Sequence, residues 1–137
     1  MAEPIRGRCA CGAIQFECSA EPLIAFNCHC RDCQKATGGA FVTAVAVPAA
    51  AVKITGQPKY YSMNGESGNT MSRGFCPECG VPLFAQTSAH REALGISAGC
   101  LDDPGRYQPT ADIWTSSAQK WDYMNSALQK LPKGFPS

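Results

Sequence analysis

The chain of 137 residues is about as long as one domain and is long enough to bury a hydrophobic core. Its 12 Lys and Arg residues nearly balance its 11 Asp and Glu residues without forming a basic block, which argues against nucleic acid as a partner. No stretch approaches the roughly 20 apolar residues of a membrane span, and no signal-peptide-like run opens the chain, so we expect a cytoplasmic protein that does not bind membranes.

Short alternating segments predict a mostly-β protein. In "AIQFEC", Ile14, Phe16 and Cys18 share one face, as in a half-buried strand. Further strands are predicted at 23–27, 41–47, 52–55, 59–63, 71–75 and 93–97, separated by turn residues. One short helix is predicted at 31–37, ending at Gly38 and Gly39, and a second at 117–124. We expect one domain over residues 1–137.

Nine cysteines far exceed average usage and, without an export signal, favour metal binding or catalysis over disulfide bonds. Neighbouring cysteines at i and i+2 of an extended chain face the same way, so each pair could hold one metal ion. In "CPECG", the glycine permits the backbone turn of a zinc knuckle. Thiolates select zinc or iron–sulfur clusters, and the lack of ferredoxin-type spacing favours zinc. Seven of the nine fall into three clusters: Cys9 and Cys11; Cys28, Cys30 and Cys33; Cys76 and Cys79.

Seven thiols divide naturally into four and three. A closed zinc site takes four ligands, whereas a catalytic zinc commonly keeps three protein ligands and an open position. Spacing alone leaves the pairing open, because Cys76 and Cys79 could complete a site with Cys9 and Cys11 or with two members of the central cluster.

At this point the sequence resembles the glutathione-dependent formaldehyde-activating enzyme family, or GFA family. The matching segments occur in the family's order over nearly the whole chain: "GRCACGAIQFEC", "NCHCRDCQKATGGAF", "RGFCPECGVPLF", "GCLDDP" and "ADIWTSSAQKW". The resemblance implies an Mss4-like fold, in which small β-sheets with few short helices surround a structural zinc site. It also implies two zinc ions per chain, one structural, held by Cys9, Cys11, Cys76 and Cys79, and one catalytic, with an open position, held by Cys28, Cys30 and Cys33.

The family resemblance further implies a carbon–sulfur lyase that forms S-hydroxymethylglutathione from formaldehyde and glutathione, or acts on a related thiol adduct. The expected partners are therefore a small thiol, glutathione above all, and a small aldehyde. Three thiolates make zinc a poor Lewis acid for activating water, but leave it able to accept a further thiolate, whose sulfur can attack an aldehyde carbon. The alternative is a non-catalytic, zinc-stabilised protein-binding module of the same fold.

Other polar residues near the cysteines have simpler interpretations. His29 lies between two of the clustered cysteines, so in an extended segment its side chain should face away from the metal, which favours an exposed or supporting position over ligation. Arg31, Lys35 and Arg73 could meet the carboxylates of glutathione, but solvated surface charge is the simpler interpretation.

The remaining cysteines and the aromatic residues are assigned to packing. Cys18 lies on an apolar strand face and Cys100 follows a run of small residues, so we interpret both as buried small apolar side chains. Four aromatic residues are interpreted as core and edge packing rather than as a ligand box: Tyr60, Tyr61, Trp114 and Trp121.

Overall fold

The computed structural model describes residues 3–136. Within this range the chain forms eleven β-strands and one α-helix, joined by loops and short 3₁₀ turns. The helix, α1 (Arg31–Thr37), follows the third strand. The strands are β1 (Ile5–Arg8), β2 (Gln15–Cys18), β3 (Ile24–Cys28), β4 (Val42–Pro48), β5 (Val52–Thr55), β6 (Lys59–Asn64), β7 (Thr70–Phe75), β8 (Pro82–Thr87), β9 (Ala93–Ser97), β10 (Ala111–Ile113) and β11 (Gln129–Lys130).

The strands form two sheets. The smaller is antiparallel in the order β1-β2-β5, and the larger has the order β11-β10-β3-β4-β9-β8-β7-β6. In the larger sheet β10 runs parallel to both β3 and β11. All the other pairs of neighbouring strands in this sheet are antiparallel. The prediction of a mostly-β protein is confirmed. Among residues 3–136 no helix is long and apolar enough to cross a lipid bilayer.

The main core lies between the two sheets. Ile14, Phe16 and Cys18 are only 1%, 4% and 0% exposed, so the face that they were predicted to share is the core face of the smaller sheet. Phe16 meets Phe84 of the larger sheet edge to face, with the ring centroids 5.6 Å apart at an interplanar angle of 72°. Burial of a side chain of this size stabilises a fold by about 1.5–3 kcal/mol, so this face holds the sheets together.

Gly7 of β1 lies against the backbone of the segment that follows β9. A Cβ atom at this position would lie 2.1 Å from the carbonyl oxygen of Cys100 and 2.3 Å from Cζ of Phe16. A bridge between Gly7 and Leu101 joins the same two segments. The close approach therefore requires glycine at this position.

Of the two predicted helices, one is confirmed and one is wrong. Helix α1 covers the predicted residues and ends at Gly38, whose N–H donates to the carbonyl of Gln34 at 2.8 Å. The segment 117–124 contains no α-helix: a 3₁₀ turn ends at Ser117, and the chain beyond it is irregular. Its polar groups bond outside the segment, since the carbonyl of Ser117 accepts from the Gln34 side chain and the Asp122 carboxylate contacts His29. These contacts hold the segment in a non-helical conformation.

The predicted aromatic packing needs a correction. Tyr60, Tyr61 and Trp121 are 52%, 61% and 59% exposed, so none of them belongs to a core. The two tyrosines lie on β6, the edge strand of the larger sheet, where Tyr60 pairs with Gly74 and covers its backbone. Trp114 is half-buried and packs against a second, smaller core beside α1. Edge packing is thus observed for Tyr60, and core packing for Trp114 alone.

Candidate metal centres

Four cysteine side chains from two distant parts of the sequence meet at one point. The Sγ atoms of Cys9, Cys11, Cys76 and Cys79 all lie within 4.8 Å of one another. Sγ of Cys11 lies 3.7 Å from Sγ of both Cys9 and Cys76. Zinc with four sulfur ligands at about 2.3 Å in a tetrahedron separates those sulfurs by about 3.8 Å, so this four-cysteine group fits zinc. A disulfide bond, at about 2.05 Å, does not fit these distances.

Backbone N–H groups point at the sulfurs of this group. The N–H of Ile14 donates to Sγ of Cys9 at 3.3 Å. Sγ of Cys76 accepts from the N–H groups of Glu78 and Cys79 at 3.4 and 3.5 Å. Such bonds favour the ionised form of a thiol, and it is the thiolate that binds metal.

Each cysteine pair of this group is followed by a glycine with a left-handed backbone. Gly12 has φ 79° and Gly80 has φ 77°, a region that other residues rarely adopt. The turn at Gly80 places the N–H of Val81 near Sγ of Cys79, and the N–H of Cys11 reaches the same sulfur from the other segment. These two N–H groups lower the pKa of Cys79 to about 6. The two pairs therefore share one turn geometry.

The other three clustered cysteines form a separate group where β3 meets α1. The Sγ atoms of Cys28, Cys30 and Cys33 lie within 4.8 Å of one another, and no fourth Cys, His, Asp or Glu among residues 3–136 joins them. Cys28 ends β3, while Cys30 caps α1 by accepting from the N–H of Cys33 at 3.3 Å. Cys28 and Cys33 are buried and Cys30 is partly exposed. This three-cysteine group thus offers three sulfurs, and Cys30 is the least buried of its three residues.

Ionisation of one of the three thiols disfavours ionisation of the others. Hydrogen bonds from the Cys28 and Cys33 thiols lower the pKa of Cys30. The same contacts, together with burial, raise the pKa of Cys28. Three thiols this close cannot all ionise unless a cation balances their charge, and zinc or another thiophilic ion supplies that charge.

His29 lies between two carboxylates and does not join the sulfurs of the three-cysteine group. Its Nδ1 lies 2.5 Å from Oδ2 of Asp122, and its Nε2 lies 2.8 Å from Oδ1 of Asp112. The side chains of all three residues are at most 1% exposed. His29 is therefore outside the three-cysteine group, as its spacing predicts, but it is a buried anchor and not a surface residue.

Further groups extend this anchor. Oδ1 of Asp112 also accepts from the side-chain amide of Asn27 at 3.1 Å, and Nζ of Lys130 lies 2.9 Å from Oδ2. Gln34 of α1 donates to the backbone carbonyl of His29 at 2.8 Å. The three-cysteine segment is thereby fastened to β10, β11 and the loop after β10.

Residues 4–117 match the family model described as glutathione-dependent formaldehyde-activating enzyme. The chain belongs to this family. A solved structure of a Rhodobacter sphaeroides protein matches the fold of this GFA-family chain with a TM-score of 0.57 and 21% sequence identity, over 71% of this chain and 87% of that one. At this identity the likeness shows a shared fold alone. The comparison with curated proteins gave no match.

The other two cysteines of this GFA-family chain lie outside both groups. Cys18 is fully buried, and its thiol donates to the carbonyl of Ala20 at 3.6 Å. Cys100 is 9% exposed and donates to the carbonyl of Pro82 at 3.5 Å. Burial, with the charges of Cys9 and Cys79, raises the pKa of Cys100 to about 11, so its thiol stays protonated at neutral pH.

The structure separates the three basic residues that sequence reasoning treated together. Arg31 and Lys35 are exposed on α1, and Arg31 donates to the side chain of Gln34 at 2.5 Å. Arg73 reaches from β7 to the three-cysteine group, where its Nη2 donates to Sγ of Cys33 at 3.5 Å. Of these three GFA-family residues, only Arg73 touches a sulfur.

Sequence reasoning did not find Asp112 and Asp122. The first lies between the buried residues Ala111 and Ile113, and a lone carboxylate inside so apolar a stretch is a signal of an ion pair. The second lies between the exposed aromatic residues Trp121 and Tyr123 and carries no comparable signal.

Proposed function

We propose that this GFA-family chain is a zinc-dependent carbon–sulfur lyase acting on a thiol–aldehyde adduct, with glutathione and formaldehyde as the leading pair of substrates. The observation that carries the proposal is the three-cysteine group, which has no fourth protein ligand among residues 3–136. The description of the matching family supplies the substrate pair.

Each of the two cysteine groups would bind a zinc ion, one with a structural role and one with a catalytic role. The four-cysteine group would hold a structural zinc, because four sulfurs fill its coordination and join distant segments. Cys28, Cys30 and Cys33 would hold a catalytic zinc with one coordination position left for a substrate sulfur. A zinc ion bound there lowers the pKa of an added thiol and so supplies a thiolate at neutral pH.

The chain's own residues hold the three sulfurs in place around that position. His29 and Gln34 fix the backbone of the segment that carries Cys28 and Cys30, through contacts that are buried from water. Cys30 is the least buried member of the group, so a substrate would enter from its side. A site held this rigidly loses little conformational entropy when the substrate binds.

The proposed reaction needs no further reagent. A carbon–sulfur bond forms between the glutathione sulfur and the carbon of formaldehyde, and the electron pair of the C=O bond moves to oxygen. That oxygen takes a proton equivalent to the one lost by the thiol, which gives S-hydroxymethylglutathione. The reverse direction breaks the carbon–sulfur bond.

The decisive experiment compares formaldehyde consumption by glutathione with and without the zinc-loaded protein. We expect formation of S-hydroxymethylglutathione, followed by NMR exchange spectroscopy, to exceed the uncatalysed rate. Cys30→Ser should remove the acceleration, while Cys18→Ala serves as a control because its sulfur lies in neither group. A protein with zinc at both groups and no acceleration would contradict the proposal.

A second candidate function is a zinc-stabilised protein-binding module. The observation in its favour is the exposure of large aromatic side chains, with Tyr61, Trp121 and Tyr123 at 61%, 59% and 94%. Exposed aromatic residues are typical anchors of protein interfaces. This function predicts that only the four-cysteine group holds zinc tightly, so metal analysis would give about one ion per chain and not the two that the lyase requires.

A further inference from the structure

Arg73 is a half-buried cation in direct contact with the three-cysteine group. Its Nη2 lies 3.5 Å from Sγ of Cys33, across 40 positions of sequence. No carboxylate among residues 3–136 lies within ion-pair distance of its guanidinium. A cation that is partly removed from water normally has an anionic partner. Here the cysteine sulfurs take that place.

The position of Arg73 in the sheet explains how it arrives there. It lies in the middle of β7, paired with Tyr61 of the edge strand β6 on one side and with Ala85 of β8 on the other. In the order of the larger sheet, β7 is four strands away from β3, which carries Cys28. Four strand spacings of about 4.8 Å exceed the length of an arginine side chain, so the contact depends on α1, which packs against β4 and carries Cys33.

The contact between Arg73 and Cys33 changes the net charge at the three-cysteine group. Three thiolates and one divalent ion leave a single negative charge on the group, which the guanidinium of Arg73 offsets. A thiolate that joins the metal then brings the total to one negative charge, whereas without Arg73 it would bring the total to two. A neutral ligand adds no charge and gains nothing from Arg73.

We infer that Arg73 makes the metal of the three-cysteine group selective for an anionic fourth ligand. The inference rests on the proposed function only in placing a metal ion at this group, and it deepens that function by giving the charge of the substrate atom that binds. Arg73 is in these terms a specificity-determining residue for the bound sulfur. It acts through its charge and not as a ligand.

The test uses cobalt(II) in place of zinc, because its absorption bands change when a ligand is added. The four-cysteine group contributes a constant background, since its coordination is full. The probes are azide as an anion, imidazole as a neutral ligand, and glutathione. The variants are Arg73→Gln, which removes the charge, and Arg73→Lys, which keeps it; Lys53→Gln on the exposed face of the smaller sheet is the matched control.

We expect Arg73→Gln to weaken azide binding about tenfold or more and to leave imidazole binding within about twofold. Arg73→Lys should keep much of the preference for azide, and Lys53→Gln should keep all of it. An equal loss for azide and imidazole in Arg73→Gln would mean that Arg73 only supports the shape of the site, and would overturn the inference. If Arg73→Gln does not fold, a loss of the azide preference in Arg73→Lys would overturn it as well.

The glutathione titration separates this inference from the proposed function. If glutathione leaves the cobalt spectrum unchanged while azide binding still depends on Arg73, the proposed function fails and the inference stands. If the wild-type protein accelerates the glutathione reaction and Arg73→Gln binds azide normally, the inference fails and the function stands.

Discussion

Nδ1 of His29 lies 2.5 Å from Oδ2 of Asp122, although 93 positions of sequence separate the two residues. The contact fastens the loop after β10 to the segment between Cys28 and Cys30. We expect Asp122→Ala to leave the buried Nδ1 without an acceptor and to lower the free energy of unfolding by about 3 kcal/mol. Denaturant unfolding measures this loss.

The same variant should weaken metal binding at the three-cysteine group but not at the four-cysteine group. We expect Asp122→Ala to release the metal of this group to a chelator faster than the wild-type protein does, with no change at the four-cysteine group. Asp102→Ala is the control, because this aspartate is exposed and belongs to neither the anchor nor a cysteine group. Equal acceleration of release from both groups would show that the anchor stabilises the fold in general and not this site.

Removal of single cysteines should distinguish the two groups. The contact of Cys11 with Cys76 joins segments 65 positions apart, so Cys76→Ser should lower the melting temperature markedly. Cys30→Ser removes a ligand from a local group and should leave the far-UV circular dichroism spectrum unchanged. Metal analysis should fall from about two ions per chain to about one in each variant.

Stepwise removal of metal makes a related prediction. A chelator should take the ion of the three-cysteine group first, because three ligands hold it less tightly than four. The fold should persist at that stage, and removal of the second ion should destabilise it markedly. Simultaneous loss of both ions and of the fold would contradict the division into a catalytic and a structural group.

Acid stability should depend on Lys130. Burial alone would raise the pKa of Asp112, but hydrogen bonds from Lys130, His29 and Asn27 outweigh it and lower this pKa below its ordinary value. Such a carboxylate stabilises the fold above its unfolded pKa of about 4, and the stabilisation is lost as the pH falls through the lower, folded value.

Lys130→Gln removes the ammonium group that lies 2.9 Å from Oδ2 of Asp112. The folded pKa of Asp112 should then rise toward its ordinary value, so the midpoint of acid unfolding should move to higher pH. The control is Lys120→Gln, an exposed lysine, and identical acid transitions for all three proteins would refute the prediction.

Gly7→Ala should be among the most destabilising single changes in the chain. The new Cβ would lie 2.1 Å from the carbonyl oxygen of Cys100, a backbone atom that cannot move without shifting the segment. We expect a loss of about 3 kcal/mol or more in the free energy of unfolding. Gly99→Ala provides the comparison, because a Cβ there meets no atom within 4 Å and should cost less than about 1 kcal/mol.

Seven of the eleven strands within residues 3–136, β2 to β7 and β9, lie where the sequence predicts them, whereas β1, β8, β10 and β11 were not predicted. The side chains of β2 alternate between polar and apolar because one face of the smaller sheet is buried and the other faces solvent. In β10, all three residues are buried between parallel neighbours, so the period that marks a strand is missing. The strand β11 is only two residues long and depends on its neighbour in space.

The cysteine clusters could be predicted from local spacing, but their supports could not. Pairs separated by one or two residues meet through backbone geometry alone, which the sequence displays. The partners of His29 lie 83 and 93 positions away and depend on how β10 enters the sheet. That residues 1–137 form one domain, and that the clustered cysteines bind zinc in the roles assigned to them, stay predictions.

The two cysteine groups differ in when they can form during synthesis of the chain. Cys28, Cys30 and Cys33 lie within six consecutive positions, so this segment can capture an ion before any sheet exists. Cys11 cannot meet Cys76 until the 64 residues between them have been made and the sheets have closed the loop. A nascent chain would therefore load the ion of the three-cysteine group early, and the ion of the four-cysteine group would bind only to molecules whose folding is complete.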